Sequence, residues 1–114
     1  MSAPDYIRLV RARHAIIAEF GNEMAPYDAL LAPTVAIAPP LMSNLIADDA
    51  AFWRANSIAL RNTSTINFFD GCGISIPCHA QDAPPAGLMI AGTAMSDARI
   101  LAVASAVEAV LRRG

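Results

Sequence analysis

Residues 67–79, NFFDGCGISIPCH, hold both cysteines of this sequence, together with a serine and a histidine. Cys72, Ser75, Cys78 and His79 all fall within this stretch. A thiol beside an imidazole is the pair that an activated cysteine nucleophile needs, and two thiols with an imidazole are potential zinc ligands. Either chemistry depends on which of these side chains the local backbone brings together.

The spacing of these residues argues against a disulfide, against an activated cysteine nucleophile and against a zinc site. In an extended segment, Cys72 and Cys78 lie on one face about 20 Å apart, whereas a disulfide needs Cα atoms about 5.5 Å apart. Neighbouring strand residues point to opposite faces, so His79 next to Cys78 is not yet a working pair. The C-x5-C-H spacing also differs from the usual C-x2-4-C of zinc sites. We therefore expect no metal and no cofactor, and two reduced, buried cysteines that react slowly.

Serine chemistry is equally poorly supported. The stretch GISIP resembles the G-x-S-x-G turn around a hydrolase nucleophile, but its last position is Pro77. No histidine follows Asp82 or Asp97 to complete the order serine, acid, histidine. A triad built on Ser75 is therefore not expected, and catalysis from this chain alone has no complete set of residues.

The other titratable residues have structural interpretations. His14 lies on an apolar helical stripe, which favours a packed histidine over a general base. Asp48 and Asp49 stand at the start of a predicted helix, where acids are favourable. All eight basic residues are arginine and there is no lysine.

Periodicity predicts six elements in the order α, β, α, β, β, α, within a single segment, residues 1–114, that has no linker or repeat. The first helix covers about residues 4–24, and the last begins with Ser96 as a cap and carries an apolar stripe. Proline breaks the uncharged stretch 29–47, which favours a strand and a loop over a membrane span. The other predicted elements are the strand YDALLAPT, the helix DDAAFWRANSIALRNT, and the strands GISIPC and AGLMIAG.

Composition limits the possible partners. The 114 residues are 55% hydrophobic and 16% charged, with a formal net charge of −2. Without a basic footprint we expect no nucleic-acid partner, and without a signal peptide or apolar span we expect no membrane and a cytoplasmic location. So apolar a chain leaves surface to cover, which predicts a homo-oligomer or another bound partner.

Several ordered motifs resemble the C-terminal part of amidase-signature enzymes. The motifs DALLAPT followed by AP, RNTSTINFFDGCGISIP and PAGLMIAG occur in the family's order, before an alanine-rich helix. Asp70 and Cys72 depart from the glycine and proline that are common after the motif's asparagine, and His79 departs from a common glycine. The matching positions are Asp28, Pro33, Thr34, Asn67, Ser75, Pro77 and the stretch 87–92. At Asn67 the resemblance implies a side chain that ties the backbone.

This resemblance implies an α/β fold with a mixed sheet flanked by helices, and an enzyme class that hydrolyses C–N bonds. Family members use a nucleophilic serine, a second serine and a lysine, which lie upstream of the part seen here. Arginine stays protonated and cannot replace that lysine as a base. The resemblance therefore implies a C-terminal fragment that has no catalytic residue of its own and associates with an N-terminal amidase segment.

The resemblance also implies where a substrate is contacted. The helix before Asn67 is expected to turn Leu60 and Ser64, four residues apart and on one helical face, toward the acyl part of a small amide. An apolar Leu60 there favours a neutral or apolar amide over one with an amine. The alternative is that Leu60 is an ordinary core residue.

Two other functions remain open from the sequence. The chain is alternatively a free-standing, non-catalytic module that binds a small ligand or partner through an apolar face. A small enzyme that uses Cys78 and His79 is the third hypothesis, and the strand geometry argues against it.

Overall fold

A computed structural model describes residues 1–113 of the chain. It contains four helices and three strands in the described residues, in the order α1, β1, α2, α3, β2, β3, α4. The α/β class and the predicted order are confirmed, with the short helix α2 added inside the segment predicted as a loop. The bounds are α1 Ala3–Met24, β1 Leu30–Pro33, α2 Met42–Ile46, α3 Asp49–Phe68, β2 Cys72–Pro77, β3 Gly87–Gly92 and α4 Asp97–Leu111.

The three strands form one antiparallel sheet in the order β1-β3-β2. β3 is the central strand: Ile90 lies opposite Leu31 on one side and Ile74 on the other. A strand as apolar as β1 normally lies between other strands of a larger sheet, whereas in the described chain β1 is an edge strand. Its side chains are consequently alternately half-buried and exposed, and Leu31 is 58% exposed.

Helix α4 covers one face of the sheet and builds the main core. Ile76 of β2 and Ile90 of β3 pack with Ile100 and Ala104 of α4, as the predicted stripe on this helix requires. Ser96 stands at the N-cap position, but the predicted side-chain cap is wrong. Its hydroxyl donates instead to the Thr93 carbonyl oxygen at 2.6 Å, a bond that closes the turn before the helix.

The opposite face of the sheet is covered only in part. Ile66 of α3 packs on Met89 and Ala91 of β3, near one end of the strands. Asn62 ties α3 to the other side of this face, since its Nδ2 donates to the carbonyl oxygen of Pro33 at 2.7 Å. Beyond Asn62, the N-terminal half of α3 borders an open cleft over this face.

Helix α1 is attached mainly through its C-terminal half. The Phe20 ring stacks on Phe69 with centroids 4.4 Å apart, and Arg13 forms an ion pair with Asp70. His14 is exposed, so the prediction that it packs in a core is wrong. The apolar stripe of α1 exists, but the described chain offers little against which its N-terminal half is able to pack.

The chain is flatter and more exposed than a closed domain of this size. Its extents are 52 × 42 × 17 Å and its radius of gyration is 17.3 Å, against about 13–14 Å for a compact domain. The accessible surface is 8152 Å², whereas a folded monomer of 12.0 kDa exposes about 6,000 Å². Much of the excess is apolar: Leu41, Met42, Ile46 and Trp53 are all exposed.

Two further sequence predictions concern a membrane span and the residue that follows the last helix. No described helix is both long enough and apolar enough to cross a bilayer. The sequence placed Gly114 just beyond the last helix, and this residue lies outside the described residues.

Candidate functional site

The two cysteines of residues 67–79 lie on different parts of the molecule. Cys72, in β2, is half-buried, and its Sγ lies 3.2 Å from Ser96 Oγ and 3.5 Å from the Thr93 carbonyl oxygen. Cys78 is exposed, because β2 ends at Pro77 and the thiol belongs to the loop that follows. The prediction of two unpaired cysteines is confirmed, whereas the prediction that both are buried is wrong for Cys78.

His79 does not activate the thiol beside it. Its Nδ1 accepts a hydrogen bond from the Ala86 backbone N–H at 3.1 Å, across the loop that joins β2 to β3. The Cys78 N–H donates to the Ala86 carbonyl oxygen at 3.0 Å. These two hydrogen bonds close the loop, so His79 and Cys78 both stabilise its backbone conformation. Residues 1–113 contain no cluster of three or more side chains suited to hold a metal ion.

An open, apolar cleft of about 1240 Å³ lies on the sheet face that α4 does not cover. Its walls are the end of β1, the proline-containing segment 35–40, the N-terminal half of α3 and the loop between β2 and β3. Apart from the Cys78 thiol, its lining residues in the described chain include no acidic or basic side chain. Among those residues are Leu31, Val35, Ile37, Leu45, Phe52, Pro84 and Pro85.

Two hydroxyl groups meet at the floor of this cleft. Thr34 Oγ1 lies 2.6 Å from Ser75 Oγ, although the residues are 41 positions apart in sequence. Thr34 is fixed by its backbone N–H, which donates to the Gly87 carbonyl oxygen at 2.8 Å. Ser75 is fixed by the ladder, which places it opposite Met89. The strands therefore hold both hydroxyls in place.

Gly87 makes this hydroxyl pair possible. A Cβ atom at position 87 would lie 2.5 Å from Ser75 Oγ and 2.9 Å from Thr34 Oγ1. Both distances are shorter than a carbon and an oxygen tolerate without moving apart. Only glycine leaves the space that the two side chains occupy between β1 and β2.

The same hydroxyls also border a second, smaller cavity of about 210 Å³. Its lining includes Asn67 at the end of α3, together with Gly71 and Gly73. The motif predicted Asn67 as a residue that ties the backbone. In the structure Asn62 makes that tie, and Asn67 lines the cavity beside Ser75.

Leu60 and Ser64 lie on one face of α3, as their spacing predicts, but not in either cavity. Leu60 is 51% exposed and Ser64 is exposed. The alternative that Leu60 is an ordinary core residue is therefore wrong for this chain. Contact of Leu60 and Ser64 with a substrate stays a prediction, because in the described chain nothing stands opposite them.

Sequence reasoning missed the hydroxyl pair. In the sequence, Ser75 is a possible nucleophile and a motif position, and Thr34 is a motif position only. No spacing rule links a residue just after β1 to one in β2, at the opposite edge of a three-stranded sheet. The one available signal is Gly87 at the start of the intervening strand, since glycine in a strand often marks a close approach.

The comparisons with known proteins point to one family. The family model described as Amidase matches residues 1–101. A 2-amino-5-chloromuconic acid deaminase of Comamonas testosteroni is 30% identical over 100% of this chain and 25% of its own length. A glutamyl-tRNA(Gln) amidotransferase subunit from Salinispora tropica is 29% identical over 93% of this chain and 21% of its own length. The chain thus spans about a quarter or less of these relatives, and no solved structure matches it.

Proposed function

Because this chain belongs to the amidase family, as its motifs predicted, we propose that it is the C-terminal portion of an enzyme that hydrolyses the C–N bond of a linear amide. In this proposal it supplies strands to a larger sheet and part of the substrate pocket, and it is inactive alone. Relatives named as a deaminase and as an amidotransferase component support a reaction at a C–N bond.

The observation that carries this proposal is an apolar cleft without an acid or base. An amide hydrolase needs an activated nucleophile and a general base in reach of each other. Here the serine at the floor of the cleft has another hydroxyl as its partner, and the sequence contains no lysine. The cleft is able to hold a substrate, but a second segment must bring the catalytic groups.

The surface of the chain supports association with such a segment. The accessible area exceeds that of a compact monomer by about a third, and both outer strands of the sheet have an unpaired edge within the described residues. An N-terminal amidase segment is the partner we propose. A homo-oligomer is the competing way to cover the same surface, and the cytoplasmic location stays a prediction.

Leu60 and Ser64 belong to this proposal as acyl-pocket residues. They lie on the open side of α3, where an added segment would convert an exposed ridge into the wall of a pocket. A leucine at that position suits the uncharged side chain of an amide. Replacement of Leu60 by tryptophan should then change which amides are accepted, because it fills acyl space and removes no catalytic group.

A chimera tests the proposal directly. The region of the Comamonas testosteroni deaminase that matches this chain is replaced by residues 1–114, and turnover of 2-amino-5-chloromuconic acid and of simple amides is measured. We expect turnover by the chimera, and none by the deaminase without its matched region or by this chain alone. Loss of a catalytic nucleophile costs about a million-fold in rate, so the contrast is large.

Variants of the isolated chain separate the alternatives. Ser75→Ala and His79→Ala should leave its background rate unchanged. Turnover by the isolated chain that disappears in Ser75→Ala or Cys78→Ala would contradict the proposal and favour the small enzyme. An inactive chimera, combined with a chain that is folded and monomeric alone, would instead favour the non-catalytic binding module, which the ready-made cleft also suits.

A further inference from the structure

We infer that the Thr34–Ser75 hydroxyl pair anchors the carbonyl oxygen of an uncharged amide whose apolar acyl group lies in the cleft. This inference rests on the proposed function, since it names the substrate class and the residues that select it. It assigns contact with the carbonyl oxygen to Thr34 and Ser75, whereas Leu60 and Ser64 lie outside the cleft and contact only a part of the substrate that extends beyond it.

The hydrogen-bond count leaves one donor free for a ligand. Each hydroxyl has one O–H donor and two acceptor lone pairs. At 2.6 Å apart, one of the two oxygens donates to the other, and this bond uses a single proton. The second O–H has no partner among the described hydrogen bonds and borders the cleft. A carbonyl oxygen is the ligand group that accepts such a proton.

The surroundings select against charge. Within the described residues, no arginine or histidine lines the cleft to pair with a carboxylate, and no aspartate or glutamate lines it to pair with an amine. An unpaired ion moved from water to an apolar site costs far more than a neutral polar group. The neutral amide is therefore favoured over both the free acid and an amino-bearing analogue.

The walls supply the apolar contacts. Phe52 of α3 and Leu45 of α2 stand on the helical side, while Val35 and Ile37 follow β1 on the other. The cleft volume of about 1240 Å³ exceeds the usual 300–1,000 Å³ of small-molecule pockets, so an aryl or medium-length alkyl group fits with room to spare. The hydroxyl pair is the polar group on the sheet side of the cleft, whereas Asn56 is the polar side chain on the helical side.

Cys78 provides a reporter for binding in the unmodified chain. Its exposed thiol lines the cleft, whereas Cys72 lies on the opposite face of the sheet under α4. We measure the rate of alkylation of each cysteine by iodoacetate, resolved by peptide mass spectrometry, with benzamide as the ligand and benzoate as its charged counterpart. Benzamide is used at a few times its dissociation constant, which is expected in the millimolar range for so small a ligand. Under this condition the alkylation rate of Cys78 should fall to about one third of its rate without ligand, or lower. The rate at Cys72 should not change, and benzoate should not protect.

Isosteric variants test the role of the hydroxyls. Thr34→Val with Ser75→Ala should weaken benzamide protection roughly three- to tenfold, the loss expected for one hydrogen bond. Gly87→Ala keeps both hydroxyls but forces them apart, and it should weaken protection similarly. The matched control, Ser57→Ala with Thr65→Val, removes two hydroxyls that bond only to the backbone of α3 and should leave protection unchanged. Circular dichroism of each variant verifies that it is folded.

Three results would overturn the inference: no protection of Cys78 in the folded chain, equal protection by benzoate, or full protection in the Thr34→Val, Ser75→Ala variant. Failure of the proposed function is distinguishable from these. If the chimera is inactive but the hydroxyl-dependent protection of Cys78 is intact, the hydrolase proposal is rejected and the binding site is retained. If the chimera is active but Cys78 is not protected in this way, the hydrolase proposal is retained and the Thr34–Ser75 anchor is rejected.

Discussion

Replacement of Gly71 by alanine should destabilise the chain, because the start of β2 has no space for a methyl group. A Cβ atom there would lie 2.6 Å from the Gly92 carbonyl oxygen and 3.1 Å from Ile66 Cγ2. The obstructing oxygen belongs to the backbone of the central strand, which the ladder to β2 holds through the Cys72 and Gly92 pair. The clash is therefore relieved only by moving a strand or the end of α3.

The magnitude follows from two opposing terms. Overpacking of this kind costs about 1–3 kcal/mol, whereas an alanine in place of glycine gains about 0.4–1 kcal/mol by restricting the unfolded chain. The net expectation for Gly71→Ala is a loss of about 1–2 kcal/mol in the free energy of unfolding. Gly21→Ala supplies the matched control, since a Cβ atom at that position of α1 meets no atom within 4 Å. It should stabilise the chain by up to about 1 kcal/mol.

Urea unfolding followed by far-UV circular dichroism measures both changes under one set of conditions. Gly73→Ala, whose Cβ would make an ordinary 3.5 Å contact with Ala91 Cβ, should fall between the other two. The reasoning is refuted when Gly71→Ala is as stable as the parent chain. It is also refuted when Gly21→Ala loses as much stability as Gly71→Ala, since the effect would then belong to glycine in general.

Four further outcomes are expected. Cys78 should be alkylated at least about tenfold faster than Cys72, because only Cys78 is exposed; equal rates would contradict the placement of both. The Ser2 hydroxyl donates to the Asp5 carboxylate and lowers the pKa of Asp5, so this stabilisation is present at neutral pH and is lost as the pH falls through the lowered pKa. Ser2→Ala should return the pKa of Asp5 toward its ordinary value in an NMR titration, and an unmoved titration would contradict the cap. Sedimentation should show self-association with hydrophobic-dye binding, and a monodisperse monomer that binds little dye would count against the uncovered surface. In the active chimera, Leu60→Trp should change the preference among amides more than it changes the unfolding midpoint, and an unchanged preference would remove Leu60 from the acyl pocket.

The sheet and its covered face were predictable from the sequence because both depend on local alternation. Cys72, Ile74 and Ile76 alternate with Gly73 and other small or polar residues, and this pattern places three apolar side chains under α4. The stripe on α4 has the matching helical period. The apolar face of the strands and the apolar stripe of α4 lie in the same chain and pack on each other, so the packing predicted from their periods is confirmed.

The same period misled at α1 for a physical reason. An apolar stripe indicates that a helix has a face to bury, but it does not provide the surface that buries it. His14 lies on such a stripe and is exposed, whereas Phe20, six residues later, packs on Phe69. The edge position of β1 has the same origin, since an apolar strand predicts neighbours that the described chain does not contain.

Contacts between distant residues set the other limit. Asn62 and Asn67 are five positions apart, which separates their side chains by about 140° around α3. Helix α3 continues to Phe68 rather than stopping near residue 63, so only Asn62 faces the end of β1. The motif identified the asparagine at position 67, but the helix length decides which of the two reaches the backbone.

Most of the reactive side chains in residues 67–79 have structural roles, so fewer of them are candidates for a function than the sequence indicates. Gly71 permits the approach of β3, Cys72 packs beneath α4, and His79 closes a loop through the Ala86 backbone. Ser75 instead points to the open face, where the hydroxyl of Thr34, just after β1, lies beside it. A hydroxyl pair without a base is a poor nucleophile but a well-positioned donor, and a donor in an apolar cleft discriminates among ligands by their charge and by their carbonyl group. The stretch is therefore best understood as the framework of a binding surface whose catalytic groups must come from elsewhere.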